Sequence, residues 1–125
     1  MKFYRCSHCG NIIAYAEHKG VKVFCCGEAM NEIIPNTVDA SQEKHLPVVT
    51  RNGNIVTVTI GTAPHPMTEE HNISWVALET KMGNQRKVLP VNGEPKVDFA
   101  LCDGDEVISA YAYCNLHSLW KQDNV

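Results

Sequence analysis

Four cysteines lie near the start of the chain. Cys6 and Cys9 form a C-x-x-C, and Cys25 and Cys26 are adjacent. Thiolates are soft donors, and four in a short segment suit a tetrahedral site for zinc or a single iron. The adjacent pair is unusual, because zinc ribbons present a second C-x-x-C. Neighbouring ligands also restrict the S–metal–S angle and should distort the tetrahedron. A second set is scattered: His45, His65, His71, Cys114 and His117, the last two forming a C-x-x-H. Each alone reads as an ordinary side chain. Together, four imidazoles and a thiolate exceed the four ligands of a closed structural zinc site. They better suit iron in an octahedral field with one open position. A thiolate on that iron would push electron density onto it, as in thiolate-ligated haems. The open position is where chemistry would occur.

These residues need elements to bring them together. "CSHCGNIIAYAEHKGVKVFCCGEAMNEII", with Gly10 and Gly27 following the cysteine pairs, reads as a small module over residues 1–36. Short strands are expected at 11–17 and 21–25, joined by an "HKG" turn. A segment below about 40 residues buries too little apolar area to fold unaided. A metal held by thiolates would supply the missing stability, on the order of 10–16 kcal/mol for comparable zinc sites.

"PNTVDASQEKHLP", Pro35 to Pro47, reads as a linker and entry loop. Beyond it the pattern changes to alternating strands, expected at 48–51, 55–61, 73–81, 85–91, 96–101 and 106–113. "NGN" is a hairpin signal, and "VNGEP" and "CDGDE" mark two further turns. No segment has a helical period. Short strands with regular turns predict an antiparallel β-sandwich over residues 37–125.

Strand parity then gathers the second donor set. With consecutive strands antiparallel, His45 precedes the first, and the hairpin returns the chain near His65. The third strand begins after His71, and the sixth ends at Cys114 with His117 just beyond. All five groups fall at one end of the sandwich. His8 and His18 read as exposed side chains, Cys102 as a small buried hydrophobe, and Trp75, Tyr111 and Tyr113 as packing aromatics.

Composition narrows the class. The net charge is −3, without the clustered positive charge that nucleic-acid binding needs. "MKFYRCSHCG" has no apolar h-region, and no apolar run approaches the roughly 20 residues that span a bilayer. A cytoplasmic location is expected, where cysteines stay reduced, so disulfides are disfavoured. Two non-enzymatic readings stay open on residues alone. One is an electron carrier using both sites; the other is a zinc-stapled module beside a histidine-rich sandwich. Colour separates them from the start, since ferric thiolate centres absorb visible light and zinc does not.

"CSHCG" with "VFCCGEAM", and "EKHLPVV", "HPMTEEHNISWV" and "YCNLHSLW", resemble the motifs of the desulfoferrodoxin family, the two-iron form of superoxide reductase. The resemblance runs nearly end to end. It implies a desulforedoxin-like module followed by an immunoglobulin-like sandwich, and two irons per chain. Cys6, Cys9, Cys25 and Cys26 would bind a distorted FeS4 centre. His45, His65, His71 and His117 would form the equatorial plane of a second iron, with Cys114 axial. The implied reaction is one-electron reduction of superoxide to hydrogen peroxide, with a donor such as rubredoxin, in a homodimer made partly through the N-terminal modules. The first centre would be accessory, because family members lacking it still catalyse the reaction. In "EKH", Lys44 would attract the anion and orient a proton-donating water, and Glu43 would close over the ferric site.

Overall fold

The computed structural model describes residues 1–123 and divides into two compact units, Met1–Ile34 and a second that begins at Pro35. In the first unit, β1 (Phe3–Arg5) is flanked by β2 (Ile12–Ala14) and β5 (Asn31–Glu32), both antiparallel to it. A separate hairpin joins β3 (Phe24–Cys25) to β4 (Glu28–Ala29). Phe3, Cys6 and Met30 are its buried apolar residues, a small core for its length.

This unit departs from the expected pairing across "HKG". Residues 15–23 carry no strand, β2 pairs with β1, and β3 pairs with β4. The cause is local. Cys26 and Gly27 both take positive φ, 53° and 80°, which is what a two-residue hairpin turn requires. That turn claims Cys25 for Glu28 and leaves β2 to the edge of β1.

Among its described residues the second unit holds seven strands in two antiparallel sheets. One has the order β10-β7-β6 and the other β12-β11-β8-β9. Their ranges are β6 (Pro47–Asn52), β7 (Ile55–Ile60), β8 (Ile73–Thr80), β9 (Gly83–Val88), β10 (Lys96–Ala100), β11 (Val107–Cys114) and β12 (Ser118–Asp123). This is the three-plus-four division of an immunoglobulin-like sandwich. Alternating side chains fill the space between the sheets. Val56, Val58 and Ile60, with Phe99 beside Val56 on β10, pack with Ile73, Val76, Leu78, Ala110 and Ala112 of the other sheet, and all are fully buried.

β12 was not expected from the sequence. "SLWKQD" lacks clean alternation, and its pairing is set by a tight turn in which Ser118 takes φ 64° opposite Cys114. A four-residue helix, α1 (Gln42–His45), also interrupts the expected entry loop. Cys102 is a correction. It is exposed in the turn after β10, where "CDGD" leaves the strand for solvent, and is not a core residue. Among the described residues no helix is long and apolar enough to cross a membrane.

Candidate metal centres

The sulfurs of Cys6, Cys9, Cys25 and Cys26 all lie within 4.8 Å of one another. Cys9 and Cys25 are 3.6 Å apart, and Cys25 and Cys26 are 4.0 Å apart. Four thiolates at about 2.3 Å from one tetrahedral ion would stand about 3.8 Å apart, so the spacing fits. Two local devices build it. The chain after β1 folds into a knuckle, with Gly10 at φ 81° donating its N–H to Cys6 O at 3.1 Å. The backbone N–H of Cys9 then points at Cys6 Sγ (3.5 Å) and that of Asn11 at Cys9 Sγ (3.4 Å). The other device is the β3–β4 turn. Neighbouring residues on a strand point to opposite faces, but the left-handed backbone at Cys26 swings its thiol back beside Cys25.

Charge at this cluster calls for a cation. The N–H groups of Cys9 and His8 pull the Cys6 thiol down to about 6. The crowding of Cys9 and Cys6, then Cys25, pushes Cys26 up to about 12. One thiolate is easily formed and the last is costly unless a metal shares the cluster.

The second cluster lies at the end of the sandwich where β6 and β8 begin and β11 ends. His45 closes α1, His65 and His71 bound the loop from β7 to β8, and His117 lies in the turn from β11 to β12. His45, His65 and Cys114 are buried, and His71 and His117 are half-buried. The four imidazoles form a closed square. Successive rings, 45–65, 65–71, 71–117 and 117–45, have centroids 4.7, 4.6, 5.2 and 4.9 Å apart. Each pair is nearly perpendicular, at 76° to 86°. His45 and His71 stand on a diagonal, 6.4 Å apart. Cys114 Sγ belongs to the same group, within 4.8 Å of the donor atoms of His45, His65 and His71 and 3.8 Å from His117 Nδ1.

The donor nitrogens are pre-aimed. His45 Nδ1–H donates to Ser41 O at 2.6 Å, and His65 Nδ1–H donates to Pro66 O at 2.7 Å. Both Nε2 atoms are left as bare lone pairs, yet they face each other at 3.3 Å. Two acceptors cannot bond to each other; a cation between them resolves the contact. His71 Nε2 is buried with no hydrogen-bond partner among the described residues. His45 Nε2 and His117 Nδ1 are 3.0 Å apart. Nitrogens bound at right angles to one metal, at about 2.1 Å each, stand about 3.0 Å apart. The donor set therefore fits a metal ion on an observed orphan and on spacing. Burial lowers the pKa of His45 and His71 and takes His65 to about 4, so these rings are neutral near pH 7. Burial raises the Cys114 thiol, against the N–H groups of Leu116 and His117.

Glu43 and Lys44 are exposed on α1, and Lys44 lies close enough to depress His45 and His71 electrostatically. Their backbone is clamped. Glu43 O accepts from the N–H of Thr62 (2.8 Å) and Ala63 (3.2 Å). Gly61, at φ 85°, lies directly beneath: a Cβ there would meet Glu43 O at 2.8 Å, Lys44 C at 2.9 Å, and Ala63 O closer still. His8 and His18 are exposed and stand outside both clusters; His8 pairs with Glu28 at 3.0 Å and His18 stacks on Tyr15.

Three supports were not read from the sequence. Asn72 and Asn115 tie the His71 loop to the His117 turn: Asn72 N–H donates to Asn115 Oδ1 (2.9 Å) and Asn115 Nδ2 donates to Glu70 O (2.9 Å). Asn115 stands between the two residues of the C-x-x-H, the one sequence hint available. Ser41 contributes only a backbone carbonyl, which no sequence pattern marks.

Comparison with known proteins agrees with this geometry. The desulfoferrodoxin family model matches residues 37–123. A desulfoferrodoxin homolog of Archaeoglobus fulgidus is 39% identical over 97% of this chain and 95% of its own. The superoxide reductase of Treponema pallidum superposes with a TM-score of 0.83 at 42% identity, covering 98% of both chains. A one-iron superoxide reductase of Giardia intestinalis matches at 38% identity and a TM-score of 0.54, covering 64% of this chain and 95% of its own. The four-cysteine cluster and the histidine–cysteine cluster fit two iron centres. The chain belongs to the desulfoferrodoxin family.

Proposed function

We propose that this protein is a superoxide reductase, which joins superoxide, one electron and two protons to give hydrogen peroxide without dismutation. The observation that carries this reading is the square of four imidazoles, in which His71 Nε2 has no hydrogen-bond partner among the described residues, backed by the buried Cys114. The likeness to the Treponema pallidum superoxide reductase along 98% of both chains supports it. A ferrous ion held by His45, His65, His71, His117 and Cys114 would supply the electron.

The chain's own residues do the rest. His45, His65 and His71 stay neutral because they are desolvated, so their lone pairs face the site without adding charge. Cys114 gives up its thiol proton when a metal is bound, and its sulfur donates electron density from the buried side. Lys44 draws the anion toward the site and orients a water that donates a proton. Glu43, the neighbouring residue on α1, would close over the site when the iron is oxidised. In the first unit, Cys6, Cys9, Cys25 and Cys26 hold an FeS4 iron as an accessory electron-transfer or structural centre. The functional division follows: a desulforedoxin-like module over residues 1–36 and the reductase domain over 37–125, a homodimer in the cytoplasm, reduced by a donor such as rubredoxin.

Metal analysis of the purified chain should find two irons. A visible spectrum should show two thiolate-to-iron absorptions, one lost on mild reduction before the other. Rapid mixing of the reduced protein with superoxide should then oxidise the sandwich centre in a second-order step with peroxide as product. Two loaded irons without that step would defeat the enzymatic reading and favour an electron carrier.

A further inference from the structure

We propose that Trp120 is a positioning residue that sets the orientation of two of the four imidazoles, and through them the metal affinity and reduction potential of the sandwich centre. The inference rests on the reading of that cluster as a metal site.

Trp120 lies on β12 with 1% of its surface exposed. Across the ladder it pairs with Ala112, a small side chain. The indole touches two site residues that are 72 positions apart in sequence. Its ring stacks on His45, with centroids 4.8 Å apart and planes inclined by 27°. Its Nε1–H donates to the carbonyl of His117 at 3.0 Å. A buried indole needs an acceptor for its N–H, and many carbonyls would serve. Here the acceptor is the backbone of one imidazole-bearing residue while the ring face lies on another.

The two contacts supply what each histidine lacks. His45 is pinned at one nitrogen by Ser41 O, which fixes the direction of Nε2 but leaves the ring plane free to swing about that axis. Of its other ring neighbours, His65 and His117 meet it edge-on and His71 stands tilted at 6.4 Å; Trp120 lies against it as a stacked plane. No backbone carbonyl accepts from the His117 ring among the described residues. Its place depends on the turn after Cys114, where Ser118 holds a strained φ of 64°. The Trp120 N–H binds that turn at the His117 carbonyl. Imidazole orientation governs donor strength, and groups that orient ligands change metal affinity or activity by about 10–100-fold when removed.

Two variants of the full-length chain separate the contacts. Trp120→Phe keeps a ring on His45 and loses the N–H; Trp120→Leu loses both. Each is measured for cobalt(II) affinity at the sandwich site, for the visible absorption of the oxidised iron form, and for its midpoint potential. The absorption of the four-cysteine centre serves as an internal control, and thermal melting of each chain reports packing. We expect Trp120→Phe to shift the potential and the absorption, and Trp120→Leu to weaken cobalt(II) binding by about 10–100-fold, with the four-cysteine spectrum unchanged. If Trp120→Leu does not fold, Trp120→Phe decides the matter through its potential and spectrum. Lower melting temperatures with wild-type affinity, absorption and potential would reduce Trp120 to a core aromatic and overturn the proposal. A wild-type chain that takes up metal at this site but does not react with superoxide would defeat the proposed activity alone. No metal uptake there at all would overturn both.

Discussion

Single residues at this site differ in what they hold. Cys114 is the deepest donor, fully buried at the end of β11. Cys114→Ser should remove the thiolate-to-iron absorption of the oxidised sandwich centre and slow superoxide oxidation, because the sulfur's electron donation is lost. An unchanged spectrum would take Cys114 out of the donor set. Lys44 acts at longer range. The chain carries a net charge of −3, so an anionic substrate benefits from a local cation at the site. Charged clefts raise on-rates by roughly 10- to 1,000-fold, and one exposed lysine belongs at the low end. Lys44→Ala should therefore slow superoxide encounter by up to about 10-fold at low salt and flatten its salt dependence, since screening acts over about 8 Å at physiological salt. Pulse radiolysis across a salt series measures this. Encounter rates equal to wild type at low salt would remove Lys44 from steering.

At the scale of elements, the short helix α1 decides where Glu43, Lys44 and His45 stand, and four residues cannot hold a helix by themselves. It is held by contact with the chain leaving β7. Leu46 O accepts from Gly61 N–H at 3.0 Å, and Glu43 O accepts from Thr62 and Ala63. Gly61 is required twice, for its φ of 85° and for the missing Cβ that lets the two backbones meet. Gly61→Ala should cost about 1–3 kcal/mol from backbone strain alone, with the steric clash adding to it. It should also shift the sandwich-centre spectrum, because α1 must move away from His65. Denaturant unfolding and the visible spectrum test both; a wild-type result in each would show that the clamp is not needed.

At the scale of the whole molecule, the two clusters draw on different units, so they should fail separately. Cys9→Ser should abolish the four-cysteine spectrum and loosen the first unit, whose own apolar core is small. Superoxide reduction at the sandwich iron should persist. Its loss with that iron still bound would make the first centre essential. The far end of the sandwich carries a different kind of anchor. Burial would raise the Asp105 carboxyl, but donors from Thr80 Oγ1, Met82 N–H and Glu106 N–H, with Arg51 nearby, hold it below the usual carboxylate range. A depressed folded-state pKa means stability that is present above the unfolded value, about 3.9 for aspartate, and lost as pH falls toward the folded one. The melting-temperature gap between wild type and Asp105→Asn should thus be largest above about pH 5 and shrink toward about pH 3. A gap independent of pH would mean that the charge of Asp105 is not what stabilises this end.

Much of this was decided by sequence alone, and the reason is periodicity and residue chemistry. Alternating runs and the turn signals between them placed six sandwich strands near their observed positions, from Pro47–Asn52 to Val107–Cys114; β7 alternates cleanly, whereas β9 has no buried face. Soft thiolates and imidazoles announced two metal sites, and antiparallel parity was enough to bring His45, His65, His71, Cys114 and His117 to one end. What only the tertiary structure decided lies where local pattern is silent. The first-unit pairing depends on left-handed backbone at Cys26, a conformation rather than a composition. β12 is paired by a turn at Ser118, not by its own alternation. Cys102 stands outside the core because Val97, Phe99 and Leu101 take the inward positions, and it follows them on the opposite parity. The aim of each imidazole came from backbone carbonyls of Ser41 and Pro66 and from an indole on the last strand. Every residue has a carbonyl, so sequence cannot mark the few that orient a donor; only three-dimensional packing selects them.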